Sequence, residues 1–285
     1  MVEKILLTGG KGMLGRTISA VLGERFEIIA TDLPDVDITQ IDSLRRAIER
    51  YSPDAVIHCA AMTTVDLCET HKEQAFLLNE TGSRNVAQVC RENGVRLLAV
   101  STDYVFDGEK DSSYSEYDEA DGGKTVYGQS KFAGEQAVRS VYPENSLICR
   151  TSWLYGFGGP SFVHTMLSLA DGTRPELKVV DDQIGNPTSA IAVARELGEL
   201  LNHPELTGVV HLSCEGDASW YDFAVEIFRQ KGVKQKVVPC STAEFPRPAP
   251  RPKNSRLQKK RLREAGLPLM PEWKDALKEF LESEF

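Results

Sequence analysis

The chain has 285 residues, 41% hydrophobic and 26% charged, with 33 Lys and Arg against 42 Asp and Glu for a formal net charge of −9. That length suits one large α/β domain or a core domain with a smaller satellite, and the acidic balance argues against a general nucleic-acid binder. Glu3 and Lys4 precede only the short apolar run ILL, and no window approaches the ~18 apolar residues that span a bilayer, so neither a leader nor a membrane segment is expected.

Apolar runs and helical patterns alternate at βα spacing. KILLT (4–8) reads as a strand, followed by a Gly-rich turn and a helix through RTISAVLGE. FEIIATD (26–32) is a second strand, and DSLRRAIERY (42–51) carries the helical stripe Leu44, Ile48, Tyr51. DAVIHCAA (54–61) is a third strand, 70–93 one further helix ending at Gly94, and VRLLAVST a fourth strand. GQSKFAGEQAVRSVY is helical and SLICRTSW (146–153) a fifth strand. Strands apolar throughout, separated by helices, predict a parallel sheet covered on both faces. Beyond about residue 155 the rhythm loosens. Gly156, Gly158, Gly159 and Pro160 mark a loop, as do 172–175, QIGNPTS (183–189) and the Pro-rich FPRPAPRP (245–252). Helices at 190–202 and 219–231 and strands near VVHLS and KVVPC lie between these loops, as expected of a smaller lobe over the carboxyl edge of the sheet. The expected division is a dinucleotide-binding domain over 1–155, receiving some later segments, and a substrate-binding lobe over 156–285.

The six cysteines (Cys59, Cys68, Cys90, Cys149, Cys214, Cys240) are scattered without a C-x-x-C pair. Several fall inside predicted strands or helices, as buried free thiols do, which favours a reducing cytoplasm and shows no zinc site. The five histidines have no ligand spacing, and no metal is assigned.

TGGKGMLG (8–15) joins the first strand to the first helix and reads either as Gly9, Gly12, Gly15 or as Gly10, Gly12, Gly15. Missing side chains there let backbone approach a pyrophosphate at a helix N-terminus, where N–H groups point outward. Asp32 ends the second strand, placed to bond a ribose 2′-hydroxyl, which tilts the choice toward NADH over NADPH; Lys11 would offset repulsion of a 2′-phosphate, and both cofactors stay open. In VYGQSKFAGE, Tyr127 and Lys131 stand four residues apart on one helical face. A phenol with an ordinary pKa near ~10 needs help to trade protons near neutrality, and a neighbouring ammonium favours the phenolate.

With STDYVFDG, VYGQSK, RTSWLYG, DDQIGNPTS and RPKNSRL, the sequence resembles the extended short-chain dehydrogenase/reductases, specifically those that reduce nucleotide-linked 4-keto-6-deoxy sugars. These segments run along nearly the whole chain. The resemblance implies a Rossmann-type doubly wound parallel sheet with a smaller C-terminal substrate-binding lobe and an NADPH- or NADH-dependent oxidoreductase. It implies that Tyr127 protonates the C4 oxygen as hydride arrives, that Lys131 holds the nicotinamide ribose and tunes Tyr127, and that Thr102 bonds the reacting oxygen. Asp103, Tyr104 and Trp153 would line the sugar with Val65 beside them, core packing being the plain alternative for Trp153. Gly9, Gly12, Met13 and Leu14 would lie under the pyrophosphate, Asp37 and Ile38 beside the adenine, and Ala61, Met62 and Thr63 along the cofactor; for Asp37 an ordinary loop carboxylate is the alternative. Some members bridge a dimer through magnesium with a glutamate after the PTxA motif. That position here is Ile191, so a monomer or weak homodimer is expected.

Arg247, Arg251, Lys253, Arg256, Lys259, Lys260, Arg261 and Arg263 fall in a stretch without an acid. Arg251 or Arg256 would meet the pyrophosphate of a nucleotide-sugar, the others forming a solvated face. Two alternatives remain on sequence grounds. One is another nucleotide-sugar epimerase or reductase. The other is a non-catalytic cofactor-binding regulatory subunit, because the methionine adenosyltransferase β subunit resembles the same reductases.

Overall fold

The computed structural model describes residues 2–283, so Met1 and the last two residues of the expected C-terminal lobe lie outside the described residues. Its centre is a six-stranded sheet whose strands are β1 (Lys4–Thr8), β2 (Glu27–Thr31), β3 (Ala55–His58), β4 (Arg96–Thr102), β5 (Ser146–Thr151) and β6 (Gly208–His211). They stand in the order β6-β5-β4-β3-β1-β2, every neighbouring pair parallel. Successive side chains of a strand point to opposite faces. Ile5, Leu7, Ala55, Ile57, Leu98, Leu147 and Cys149 therefore enter one apolar core, and Leu6, Val56, Leu97, Ala99 and Ile148 enter the other. That two-sided burial is why these strands are apolar throughout. Helices Met13–Leu22 and Ala190–Leu200 pack together over the first core; Ile41–Tyr51, Ser83–Asn93 and Val126–Val141 cover the second.

The helix expected over 70–93 is three pieces, Lys72–Phe76, a π-helical turn Leu77–Gly82 and Ser83–Asn93, closed by Gly94 at φ +67°, and a separate short helix Val65–Thr70 precedes them. The buried Asn79 explains the wide turn. Its amide accepts from Met62 N at 2.8 Å and donates to Met62 O at 3.1 Å and to Ser130 Oγ at 2.9 Å. Gly134 lets the helix Val126–Val141 come this close, because a Cβ there would lie 2.2 Å from Asn79 O. That helix starts two residues earlier than the sequence suggests, capped by Thr125, whose hydroxyl accepts from Gly128 N at 2.9 Å. Tyr127 thus sits in its first turn.

The strand expected in the smaller lobe near VVHLS instead extends the main sheet as β6, in register Gly208↔Leu147 to His211↔Arg150. The lobe keeps three short strand pairs: Leu177–Val180 with Val237–Cys240, Ile184–Gly185 with Ala218–Ser219, and Leu154–Tyr155 with Thr188–Ser189. Two of these use residues 183–189, expected as plain loop. Tyr155, Met166, Phe223 and Phe280 of this region share the first sheet core, so the lobe is continuous with the sheet unit. Among the described residues, no helix is long and apolar enough to cross a membrane, and no group of three or more His, Cys, Asp or Glu is placed to hold a metal ion.

Candidate active site

The turn after β1 is built so that backbone packs on backbone. Gly9 has φ +75°, and a Cβ on it would lie 2.6 Å from Ala60 N; a Cβ on Gly15 would lie 2.2 Å from Gly9 O. Gly12 is the N-cap of the helix Met13–Leu22 in an extended conformation with no side-chain cap, so the first N–H groups are left for a ligand. Asp32 is fixed beside this turn, accepting from Lys11 N at 3.0 Å and Leu33 N at 2.9 Å. The Lys11 ammonium does not meet it and donates to Leu33 O at 2.6 Å. Gly15→Ala is expected to weaken NADPH binding at least tenfold and to lower the thermal midpoint, checked by fluorescence titration and melting; binding at the wild-type level would mean the turn relaxes around the methyl.

A cavity of about 630 Å³ opens over the carboxyl ends of the strands. Its wall carries Gly9, Gly12, Met13 and Leu14 from the turn, Asp32, Asp37 and Ile38 after β2, and Ala61, Thr63 and Val65 after β3. Thr102, Asp103 and Tyr104 arrive from β4, Tyr127 and Lys131 from the helix behind it, and Trp153 from the end of β5. Met62 is not on this wall: Asn79 clamps its backbone, and its side chain packs near Cys68 and Tyr127. Asp37 lines the cavity while its Oδ1 accepts from Thr39 N at 2.9 Å and Thr39 Oγ1 at 2.7 Å, a turn-holding use of the carboxylate.

At the centre, Thr102 Oγ1 donates to Asp103 Oδ1 at 2.9 Å and accepts from Tyr104 N at 3.3 Å. Burial pushes the Tyr127 phenol above its ordinary range, and the Thr102 hydroxyl lies beside it. The Lys131 ammonium donates to Val100 O at 2.8 Å; burial lowers it to about 8 against the opposing pull of Glu135. Burial raises Asp103 to about 6, and the hydroxyls of Ser255 and Thr102 counter that. His58 is buried beneath the site with Thr8 Oγ1 at 2.7 Å and Ser83 Oγ at 3.1 Å, and burial lowers it to about 3, so it stays neutral and structural.

A second cavity of about 610 Å³ adjoins the first and shares Tyr104, Trp153 and Trp220 with it. Trp153 has φ +46°, a left-handed conformation unusual for a large side chain, and its ring stacks on Trp220 at 3.6 Å between centroids and 5° between planes. Gly185 makes room, since a Cβ there would lie 2.4 Å from the Trp153 ring. Arg251 lines this cavity, not the first, and its guanidinium pairs with Asp66 at 2.9 Å. Arg256 lines neither, its Nε donating to Asn254 Oδ1 at 2.8 Å and its Nη1 lying 3.7 Å from Asp217. Nor do the remaining cations form one solvated face. Lys259 is buried on Glu215 at 2.6 Å, and Arg261 donates to Thr207 O at 2.6 Å and Val209 O at 2.7 Å at the start of β6. Arg247 does line the second cavity.

Sequence reasoning missed Trp220, Asp66 and Asn79. Asn79 alone left a signal, a short amide inside a helical pattern, where such residues are disfavoured unless bonded. Trp220 reaches the site only because the helix Trp220–Lys231 is docked beside Gly185, which no local pattern reveals.

A parallel sheet with a glycine turn at its switch point, and Thr102, Tyr127 and Lys131 meeting on one cavity wall, define an extended short-chain dehydrogenase/reductase. A family profile described as the RmlD substrate binding domain matches residues 3–285, and the chain belongs to that family. It is 39% identical over 282 residues to the spore coat polysaccharide biosynthesis protein SpsK of Bacillus subtilis, covering 99% of this chain and 98% of that one. The fold matches a dTDP-4-dehydrorhamnose reductase of Clostridium acetobutylicum with TM-score 0.93 and 44% identity, over 98% of both chains. It also matches a dTDP-4-dehydrorhamnose reductase of Bacillus anthracis in complex with NADP, with TM-score 0.94 and 39% identity over 99% of both.

Proposed function

We propose that this chain reduces the C4 ketone of dTDP-4-dehydro-L-rhamnose to give dTDP-L-rhamnose, a sugar donor for cell-surface polysaccharide. The observation that carries the reading is the meeting of Thr102, Tyr127 and Lys131 on a cavity that opens into a second one of nucleotide size. A reduced nicotinamide dinucleotide supplies the hydride when bound. The uncapped helix start at Gly12, the glycines that admit backbone, and Asp32 held by two amides fit its pyrophosphate and ribose.

Tyr127 gives its proton to the C4 oxygen as negative charge develops there. Lys131 keeps two donors beyond Val100 O for ribose hydroxyls, and its charge stabilises the phenolate left behind. Trp153 and Tyr104, shared by both cavities, hold the sugar between the two and exclude water from the reacting carbon. The nucleotide part lies in the second cavity, with Arg251 and Arg247 toward its diphosphate. The six cysteines are free, which supports a cytoplasmic setting, and Ile191 is buried at 1% exposure, which supports a monomer or weak homodimer without a bridging metal.

The decisive assay supplies purified protein with dTDP-4-dehydro-L-rhamnose and follows oxidation of NADPH and NADH side by side. Oxidation of either, dependent on the sugar, is the expected result. Cofactor binding without oxidation would instead identify a non-catalytic subunit.

A further inference from the structure

A hydroxyl has one proton, and that of Thr102 is committed to Asp103 Oδ1. In that state Thr102 offers a ketone oxygen only lone pairs, which cannot stabilise it. Asp103 is 4% exposed. Besides Thr102, the hydroxyl of the buried Ser255 hydrogen-bonds this carboxylate, yet burial outweighs both. Turning the Thr102 proton toward substrate would therefore take a donor from a carboxylate whose charge burial already disfavours, a costly step in a dry site.

We propose that Asp103 is a positioning residue that works in its protonated form: its O–H donates to Thr102 Oγ1 and so releases the Thr102 proton to the C4 oxygen of the substrate. The proposal rests on the assignment of Thr102 and Tyr127 made above. The proton balance is simple. Hydride adds to C4, Tyr127 supplies the proton that the oxygen keeps, and Asp103 and Thr102 each retain one proton throughout. The carboxyl is suited to this, since burial raises it to about 6 and expulsion of water by bound sugar raises it further. The titratable groups that face it are Tyr104 on its own segment and Tyr127 on the helix behind, both pushed up by burial and neutral. Arg251 and Asp66 lie beyond Tyr104 and pair with each other. The C-terminal segment presents Ser255, which does not titrate.

The test is the pH profile of kcat/KM for ketone reduction at saturating NADPH, from pH 5.5 to 8.5, for the wild type and Asp103→Asn. The amide imitates the protonated acid, since its N–H can donate to Thr102 at any pH. In the wild type, kcat/KM at pH 6 should exceed that at pH 8 by on the order of tenfold or more, the descending limb of a required acid. In Asp103→Asn the same ratio should fall to about 1, because the titrating group is gone. A limb that persists in the variant overturns the proposal, as does a loss above a hundredfold at every pH with NADPH binding intact. Should the variant fail to bind NADPH, the wild type decides alone: a flat profile between pH 5.5 and 7.5 overturns the proposal and a descending limb supports it. Tyr127→Phe run alongside separates the two claims, since its full activity would sink the site assignment itself.

Discussion

Tyr127→Phe is expected to slow ketone reduction by about 10²–10⁴-fold, the usual loss for a positioned acid, with NADPH affinity changed less than threefold. The substitution removes one oxygen and keeps the ring. That ring packs edge-on to Tyr104 at 5.5 Å between centroids and 71° between planes, a contact phenylalanine preserves. The phenol lies on the cavity wall apart from the glycine turn and Asp32, the proposed seat of the cofactor's far end, so binding and proton transfer should be separable. Single-turnover rates beside cofactor titration check both halves. Full turnover would remove Tyr127 as proton donor, and loss of cofactor binding would make its role structural.

Glu135 and Arg150 carry the second large effect. Glu135 stands one turn beyond Lys131 on the helix Val126–Val141, Arg150 lies in β5, and the two are almost fully buried. Arg150 Nε donates to Glu135 Oε1 at 2.9 Å and Nη2 to Oε2 at 2.6 Å, while the guanidinium lies 5.0 Å from the Phe106 ring centroid. Removing one partner leaves a buried charge uncompensated, so Arg150→Met is expected to cost about 3–5 kcal/mol, read as a lower midpoint in urea unfolding. Against a total of about 5–15 kcal/mol for an ordinary domain, that is a large share. Replacing both residues by apolar ones of similar volume should recover most of it, because desolvation offsets the attraction of a buried pair. A single variant within about 0.5 kcal/mol of wild type, the usual range for surface changes, would show that water reaches the pair. Phe106 and the pair tie the helix that carries Tyr127 and Lys131 to the sheet, so activity of Arg150→Met should fall before the protein unfolds.

Local chemistry fixed much of this molecule. Runs apolar on every residue required strands buried on both faces, and alternation with helices required that those strands run parallel. Gly9, Gly12 and Gly15 between a strand and a helix implied close backbone approach, which the 2.2 Å and 2.6 Å distances to absent Cβ atoms express. Tyr127 and Lys131 at i and i+4 had to share one face once the helix formed.

Three-dimensional packing decided the rest. Gly208–His211 looks the same whether it pairs within a small lobe or adds to the main sheet; only the open edge of β5 settled that. The π turn around Asn79 depends on Gly134 and Ser130, about fifty residues away, so no local pattern encoded it. The basic run from Arg247 to Arg263 read as one feature because charge is visible in sequence and partners are not. Asp66, Asp217, Glu215 and the backbone carbonyls of β6 divide it into separate ion pairs and a sheet-end cap, with Arg247 and Arg251 on the second cavity. The sequence alone determined the parallel sheet, the glycine turn and the Tyr–Lys pair, since each depends on residues within one or two turns of chain. Tertiary structure decided which hydroxyl, carboxyl and indole face that pair, because the end of β4, the end of β5 and the helix Trp220–Lys231 reach the cavity from segments far apart in the chain.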